Sequence, residues 1–126
     1  MHVNDLSGVI ISSAIEVHKT LGGPGLLEGV YEEALSWELS SRGVKIVRQM
    51  EVPVSYKGNQ LTYPLRLDLL VADRIIVEVK SVAVYNQIFE AQLLTYLRLM
   101  NLNLGLVINF GEKMVKDGVH RVVNGL

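Results

Sequence analysis

Residues 67–80 read LDLLVADRIIVEVK and carry the most informative pattern of the chain. Two runs of apolar, mostly branched residues flank a short polar connection around Asp73, a pattern that indicates a β-hairpin. Asp68 and Glu78 are equidistant from Asp73, so a hairpin centred there places them directly opposite each other, with Cβ atoms about 5 Å apart. Lys80 lies two residues beyond Glu78 and therefore faces the same side of the sheet.

The opposition of two carboxylates in an apolar hairpin predicts a metal site. Neighbouring carboxylates repel each other, and a divalent cation is the usual reason for such an arrangement. We expect Mg²⁺ or Mn²⁺ to be held by Asp68, Glu78 and the main-chain carbonyl of Val79. The ammonium of Lys80 would then orient an attacking water or stabilise developing phosphoryl charge. A register shifted by one residue would put the two acids on opposite faces.

An alternative is that these charged side chains decorate a solvated face of the sheet. An acid two residues before a lysine is common, so the triplet alone favours this alternative. The neighbours of Glu78 are apolar on both sides in the segment 75–79, which suits burial on both faces. An unpaired carboxylate is expensive to bury, and this context favours a functional site.

The remaining patterns predict a mixed α+β (α/β) fold. Apolar positions at three- and four-residue spacing predict helices over about 5–20, 27–41 and 86–100. β-branched or alternating stretches predict strands over 44–48, 52–57, 60–72, 75–80, 105–110 and 119–123, with tight turns at Gly58-Asn59 and Asp117-Gly118. The order α-α-β-meander-α-β-β predicts a central mixed β-sheet flanked by helices.

Composition predicts one domain, residues 1–126, with no cysteine, 49% hydrophobic residues and a formal net charge of −1. The missing cysteines exclude thiol catalysis, thiolate metal sites and disulfides. Residues 1–43 carry six acidic and two basic side chains, whereas residues 44–126 carry seven and ten, so the second part offers the more basic surface. No signal peptide or membrane span is evident, so we expect a cytoplasmic protein without a membrane partner.

Two motifs resemble a known group of proteins. Asp68, a short hairpin and Glu78-Val79-Lys80 resemble the core of the PD-(D/E)xK nuclease-like superfamily. Residues 25–31, GLLEGVY, match the motif that names its small GxxExxY family, and the resemblance covers nearly the whole chain. Leu67 precedes Asp68, where the superfamily's name implies a proline, and the nearest proline is Pro64. The residue at this position varies in such proteins. The resemblance implies a restriction-endonuclease-like core.

The resemblance also implies roles for residues outside the hairpin. Glu28 would be the additional acid of the site, completing the metal shell directly or through water. Gln92 and Tyr96 resemble a Gln-x-x-x-Tyr extension that positions substrate or the catalytic lysine. Singly, each has a simpler explanation: Glu28 as a first-turn acid at the helix dipole, Gln92 and Tyr96 as a helix-surface pair, and Tyr31 as core. His18 is either a site contact or a helix-end residue, and it is not included in the predicted site.

These features lead to the hypothesis of a metal-dependent nuclease that hydrolyses phosphodiester bonds in nucleic acid, with DNA as the expected substrate. Its expected cofactor is Mg²⁺ or Mn²⁺, and a homodimer is consistent with it because small nuclease-fold domains often pair. The first alternative is a catalytically weak or inactive nuclease-fold module that binds nucleic acid or a protein partner, because the core consumes most of the chain. The second is a structural subunit of an oligomer.

Overall fold

The computed structural model describes residues 1–125, which include three α-helices and seven strands. The helices are α1 (Val3–Thr20), α2 (Glu28–Ser41) and α3 (Ile88–Met100). The strands are β1 (Ile46–Val52), β2 (Ser55–Tyr56), β3 (Asn59–Gln60), β4 (Leu65–Val71), β5 (Ile75–Lys80), β6 (Leu104–Asn109) and β7 (Val119–Val123). A short 3₁₀ helix, Val115–Gly118, directly precedes β7.

Five of the strands form one mixed sheet in the order β1-β4-β5-β6-β7, and β2 pairs with β3 in a separate hairpin. Strands β5 and β6 run parallel, whereas the other neighbouring pairs of the large sheet are antiparallel. A parallel pair needs a crossover connection, and α3 provides it. The predicted fold class, a mixed α+β sheet flanked by helices, is therefore confirmed.

Helices cover both faces of the sheet. On one face, α1 and α2 pack through a core that includes Ile10, Leu35 and Val77. On the other face, Leu93 of α3 packs in a second core with Ile76. Because successive side chains of a strand point to opposite faces, the neighbours Ile76 and Val77 enter different cores. Burial on both faces explains why β5 and β6 read as almost continuous apolar runs.

The predicted strand over residues 60–72 is wrong in its first half. Residues 59–60 belong to the small β2–β3 hairpin, and β4 begins only at Leu65. Pro64 precedes β4 directly, and proline has no backbone N–H to donate to a neighbouring strand. The alternating pattern therefore continues through a break that separates two different sheets.

Two predicted turns differ from the structure. The β2–β3 register leaves Lys57 and Gly58 between the strands, one residue earlier than the predicted Gly58-Asn59. Both have positive φ angles, 48° and 83°, as a type I′ hairpin turn requires. Asp117-Gly118 ends the 3₁₀ helix instead of forming a two-residue hairpin turn, since the connection from β6 to β7 is longer than the pattern suggested.

Candidate active site

The β4–β5 hairpin carries the two predicted acids at the point where its strands separate. The ladder of the hairpin is centred on Asp73, as the spacing predicts. One residue beyond the last ladder pair, the Asp68 N–H donates to Glu78 Oε2 at 2.9 Å. The Val79 N–H in turn donates to Asp68 Oδ2 at 2.8 Å. The register thus brings the two carboxylates together, and each of them accepts a backbone N–H of the opposite strand.

Among the acids of this corner, Glu78 has the pKa that departs most from its ordinary value. Its side chain is buried, at 6% exposure, between the apolar residues of β5. Burial, and after it the negative charge of Asp68, raises the pKa of Glu78 to about 8. The positive charge of Lys80 opposes this effect but does not overcome it. Without a cation, the carboxyl of Glu78 therefore remains largely protonated at neutral pH.

Lys80 lies at the end of β5, on the same side of the strand as Glu78. It is half-buried, and its Nζ lies 4.6 Å from the centroid of the Phe89 ring on α3. A cation over an aromatic face is held by the negative charge of the ring surface. The ammonium therefore has a defined position beside the paired acids.

Helix α3 also carries the two predicted substrate-positioning residues. Tyr96 is half-buried, and its pKa is raised by burial and then by the negative charges of Glu78 and Asp68. The hydroxyl therefore remains protonated at neutral pH. It lies close enough to both carboxylates for their negative charges to raise its pKa. Gln92 is exposed one turn earlier, on the same side of the helix.

Glu32 on α2 is a residue of this corner that the sequence reasoning missed. It is 6% exposed, and Arg48 donates to its Oε2 from Nε at 3.3 Å and from Nη2 at 3.1 Å. The pKa of Glu32 is raised by burial and then by the charge of Asp68, which outweigh these hydrogen bonds. Its position four residues after Glu28, on one helix face, is the signal that could have identified it.

Gln49 of β1 connects Glu32 with Asp68. Its Nε2 donates to Glu32 Oε1 at 2.7 Å and lies 3.4 Å from Asp68 Oδ1. The register of β1 with β4 places Gln49 opposite Asp68, and its φ of 48° is unusual for a residue other than glycine. Such a conformation persists where the surroundings over-determine it. The strand is therefore distorted at the position that faces the acids.

Glu28 lies at the neighbouring end of β5. Its side chain is exposed, and the Ser81 N–H donates to its Oε2 at 3.3 Å. Ser81 Oγ also donates to the carbonyl of Leu26, at 2.6 Å. The structure thus places Glu28 next to the residue that follows Lys80, whereas Glu32 is the α2 acid whose pKa responds to the charge of Asp68.

The tyrosine of the GLLEGVY motif is a structural anchor. Tyr31 is fully buried; its hydroxyl donates to the Gly23 carbonyl at 2.7 Å and accepts the Leu26 N–H at 3.1 Å. Its ring stacks on Phe110, with centroids 4.6 Å apart. These contacts fix the loop before α2, in which Gly25 has a φ of 110° that favours glycine.

His18, which the sequence left between two interpretations, is a buried core residue. It is 6% exposed, and its ring lies against Phe110 and Tyr31, with centroids 6.1 and 6.4 Å away. His18 Nε2 lies 3.2 Å from the Phe110 carbonyl oxygen, which can only accept, so this nitrogen carries a proton and donates. This contact supports the packing of α1 on the end of β6.

The donors that the structure brings together are oxygen atoms. They comprise the carboxylates of Asp68 and Glu78 and the carbonyl of Val79, which faces β4 because its own N–H donates there. Mg²⁺ is commonly held by one or two carboxylates with water completing its shell, so this donor set fits such an ion. Among residues 1–125, no group of three or more His, Cys, Asp or Glu side chains is arranged around a common point for a metal.

Comparison with known proteins gives the family. No curated protein and no solved structure matches the chain. Across the described helices, none has the length and apolar character needed to cross a membrane. A family model described as the PD-(D/E)XK nuclease superfamily matches residues 4–122, which include both paired acids and all three helices except the start of α1. Its members are nucleases that typically use divalent metals, which supports a nuclease-like, hydrolytic function. The chain belongs to the PD-(D/E)XK nuclease superfamily.

Proposed function

We propose that this chain is a Mg²⁺- or Mn²⁺-dependent nuclease that hydrolyses phosphodiester bonds in DNA. The observation that carries the proposal is the pairing of Asp68 with Glu78 in a partly buried corner, beside the Lys80 ammonium. On the sequence, we further propose that it belongs to the GxxExxY branch of the superfamily. The GLLEGVY motif supports this assignment, since its tyrosine anchors the loop that begins α2.

Asp68, Glu78 and the Val79 carbonyl would hold the cation. When bound, it would polarise the scissile phosphate and lower the pKa of a coordinated water. Both carboxylates would be ionised when the cation is bound, because its positive charge would compensate the repulsion that raises the pKa of Glu78. The pair is thus an anionic site that is complete only with a cation.

Lys80 would stabilise the charge that develops on the phosphoryl oxygens. The Phe89 ring holds its ammonium in place, so little rearrangement is needed when substrate binds. Tyr96, which keeps its proton at neutral pH, would donate a hydrogen bond at the same corner, and Gln92 would contact the substrate from the exposed side of α3.

The additional acid of the site is proposed to come from α2. The family resemblance indicates Glu28, and the electrostatics of the structure add Glu32 as a second candidate. Separate Glu28→Gln and Glu32→Gln variants distinguish them: the variant that weakens Mn²⁺ binding identifies the acid that completes the metal shell.

The proposal is tested by cleavage of single- and double-stranded DNA and RNA with Mg²⁺ or Mn²⁺. Asp68→Ala and Lys80→Ala should abolish cleavage. Asp73→Ala and Lys45→Ala are matched controls, because they remove an exposed ion pair at the tip of the same hairpin. Equal residual activity in both site variants would indicate a contaminating nuclease. Cleavage of RNA but not DNA would contradict the proposed substrate.

The second candidate is a catalytically weak nuclease-fold module that binds nucleic acid or a protein partner. One specific observation favours it. Each paired acid already accepts a backbone N–H, and this hydrogen bond stabilises part of its negative charge without a cation. Calorimetry with Mn²⁺ separates the two candidates, because no detectable binding at millimolar metal would contradict the enzyme. Light scattering during gel filtration tests the proposed homodimer.

A further inference from the structure

A cavity lies away from the paired acids, between the last turn of α1 and the segment 113–116, in which the 3₁₀ helix begins. Its volume is about 360 Å³. His18 and Val115 form part of its apolar wall, and Lys19, Lys113 and Lys116 line it as well. Half of the six lysines in the chain therefore surround one cavity.

The charge around this cavity has one sign. None of the described residues that line it is an aspartate or a glutamate, and its three lysines make no ion pair within residues 1–125. Glu112 and Asp117, the sequence neighbours of two of these lysines, do not line the cavity. The carboxyl end of α1 attracts cations, but its dipole is equivalent to only about half a negative charge. Three ammonium groups exceed that charge several-fold.

The wall of the cavity is rigid. His18 is buried and held by the hydrogen bond from its Nε2 to the Phe110 carbonyl, and its ring is flanked by two further aromatic rings. The three lysines are exposed, whereas His18 and Val115, which form the apolar floor of the cavity, are buried. A fixed apolar floor with a cationic rim suits a ligand that has a flat apolar part and an anionic part.

The cavity and the candidate active site lie at the same end of the sheet. The Phe110 N–H donates to the Lys80 carbonyl at 2.8 Å, and the Phe110 carbonyl accepts from His18. One residue at the end of β6 therefore connects the wall of the cavity to the end of β5. Glu78 and Lys80 face α3 whereas the cavity lies beside α1, so a strand that reaches both would pass around this end of the sheet.

We propose that the cavity lined by Lys19, Lys113 and Lys116 binds a phosphate group, with its attached nucleotide, of the nucleic-acid strand. This inference rests on the proposed function, and it names a contact to the strand outside the reacting centre. Lysine ammonium groups bind phosphate as compact point charges, and each contact releases counterions from the strand. An acidic peptide offers the same charge but no flat base for the apolar floor.

The test measures binding of a fluorescent single-stranded oligonucleotide by anisotropy in EDTA, where no cleavage occurs. The variant is Lys19→Gln/Lys113→Gln/Lys116→Gln, and the control is Lys45→Gln/Lys57→Gln/Arg74→Gln. The control removes the same charge from three exposed positions, with Lys57 and Arg74 in the turns of two hairpins and Lys45 directly before β1. Loss of this phosphate contact should lower the slope of log affinity against log salt by about 0.7 and weaken binding about 5-fold at 0.1 M salt. The control should change neither quantity comparably.

Several results would overturn the proposal. Equal losses in the variant and the control would show a general charge effect. Competition by a polyglutamate peptide as strong as by unlabelled oligonucleotide would assign the cavity to acidic peptides. Inorganic phosphate that competes at the concentration of oligonucleotide phosphate would assign it to free anions. If the triple variant unfolds at a lower temperature than the wild type, single Lys116→Gln replaces it, and it should weaken binding more than the exposed control Lys57→Gln does.

This experiment is independent of catalysis. Binding in EDTA that depends on the three lysines would stand even if the purified chain cleaves no nucleic acid. Conversely, a chain that cleaves DNA but binds it equally well without the three lysines would retain its proposed function and lose only this site. The two failures are thus distinguishable.

Discussion

Replacement of Glu78 by glutamine should change how the stability of the protein depends on pH. In the folded chain, burial and the charge of Asp68 raise the pKa of Glu78 from 4.5 to about 8. The unfolded chain releases this proton near pH 4.5, whereas the folded chain keeps it to about pH 8. Stability from this group is therefore fully present below pH 4.5 and is lost as the pH rises to about 8. Glutamine does not titrate and keeps an oxygen to accept the Asp68 N–H.

The expected effect is large for a single side chain. Each pKa unit corresponds to about 1.4 kcal/mol, so complete ionisation of Glu78 costs the folded state about 5 kcal/mol. At pH 7 the folded carboxyl is still mostly protonated, and the cost is about 3 kcal/mol. Because Glu78 is 6% exposed, solvent screens this effect little. The total stability of a domain is about 5–15 kcal/mol, so the change is readily measured.

Urea unfolding in EDTA at several pH values between 4 and 9 provides the measurement. The free energy of unfolding of Glu78→Gln, relative to wild type, should rise by about 3 kcal/mol between pH 4 and pH 7 and level off above pH 8. Glu51→Gln is the control, since Glu51 is exposed in an ion pair with Arg66, and its difference from wild type should stay nearly constant. Parallel curves for wild type and Glu78→Gln would contradict a raised pKa of Glu78 in the folded chain.

Three further substitutions have expected outcomes, each measured by urea or thermal unfolding. Gly111→Ala should destabilise the protein by about 3 kcal/mol or more, because the new Cβ would strike the backbone of Val82; unchanged stability would contradict this close approach. Gly29→Ala should stabilise it by about 0.5–1 kcal/mol, since Gly29 lies in α2 with open space around it, and a loss of stability would be the opposite of that expectation. Tyr31→Phe should cost about 1–3 kcal/mol, because the Gly23 carbonyl loses its donor; a proteolysis rate of the loop before α2 equal to wild type would argue against the anchoring role.

Most of the sheet could be predicted from local patterns. The β4–β5 hairpin follows from apolar runs on both sides of Asp73, and the two long apolar runs of β5 and β6 indicate strands buried on both faces. The predicted strand over residues 60–72 was wrong in its first half, because alternation continues across Pro64 although the two parts join different sheets. Periodicity reports which face a residue prefers but not which strand becomes its neighbour.

Some residues of the candidate site could likewise be predicted from the sequence, and others could not. The opposition of Asp68 and Glu78 depends only on their equal distance from one turn, so arithmetic on the sequence was sufficient to bring them together. Glu32 could not be chosen over Glu28 from spacing, because both lie on one face of α2. The position of α2 against the sheet decides which of the two acids has its pKa raised by the charge of Asp68. That packing depends on residues far apart in the chain.

The surroundings of His18 and Gln49 arise from contacts between segments far apart in the chain. The sequence allowed His18 as a site residue or a helix-end residue. It is a buried hydrogen-bond donor only because Phe110, 92 residues later and directly after β6, packs against it. The left-handed conformation of Gln49 likewise arises from partners on two other elements. The pairing of the two acids follows from the sequence, because the turn and the apolar pattern of the two strands set the register of a hairpin locally. The surroundings that raise the pKa of Glu78, hold Lys80 and gather three lysines around a cavity exist only after distant segments pack.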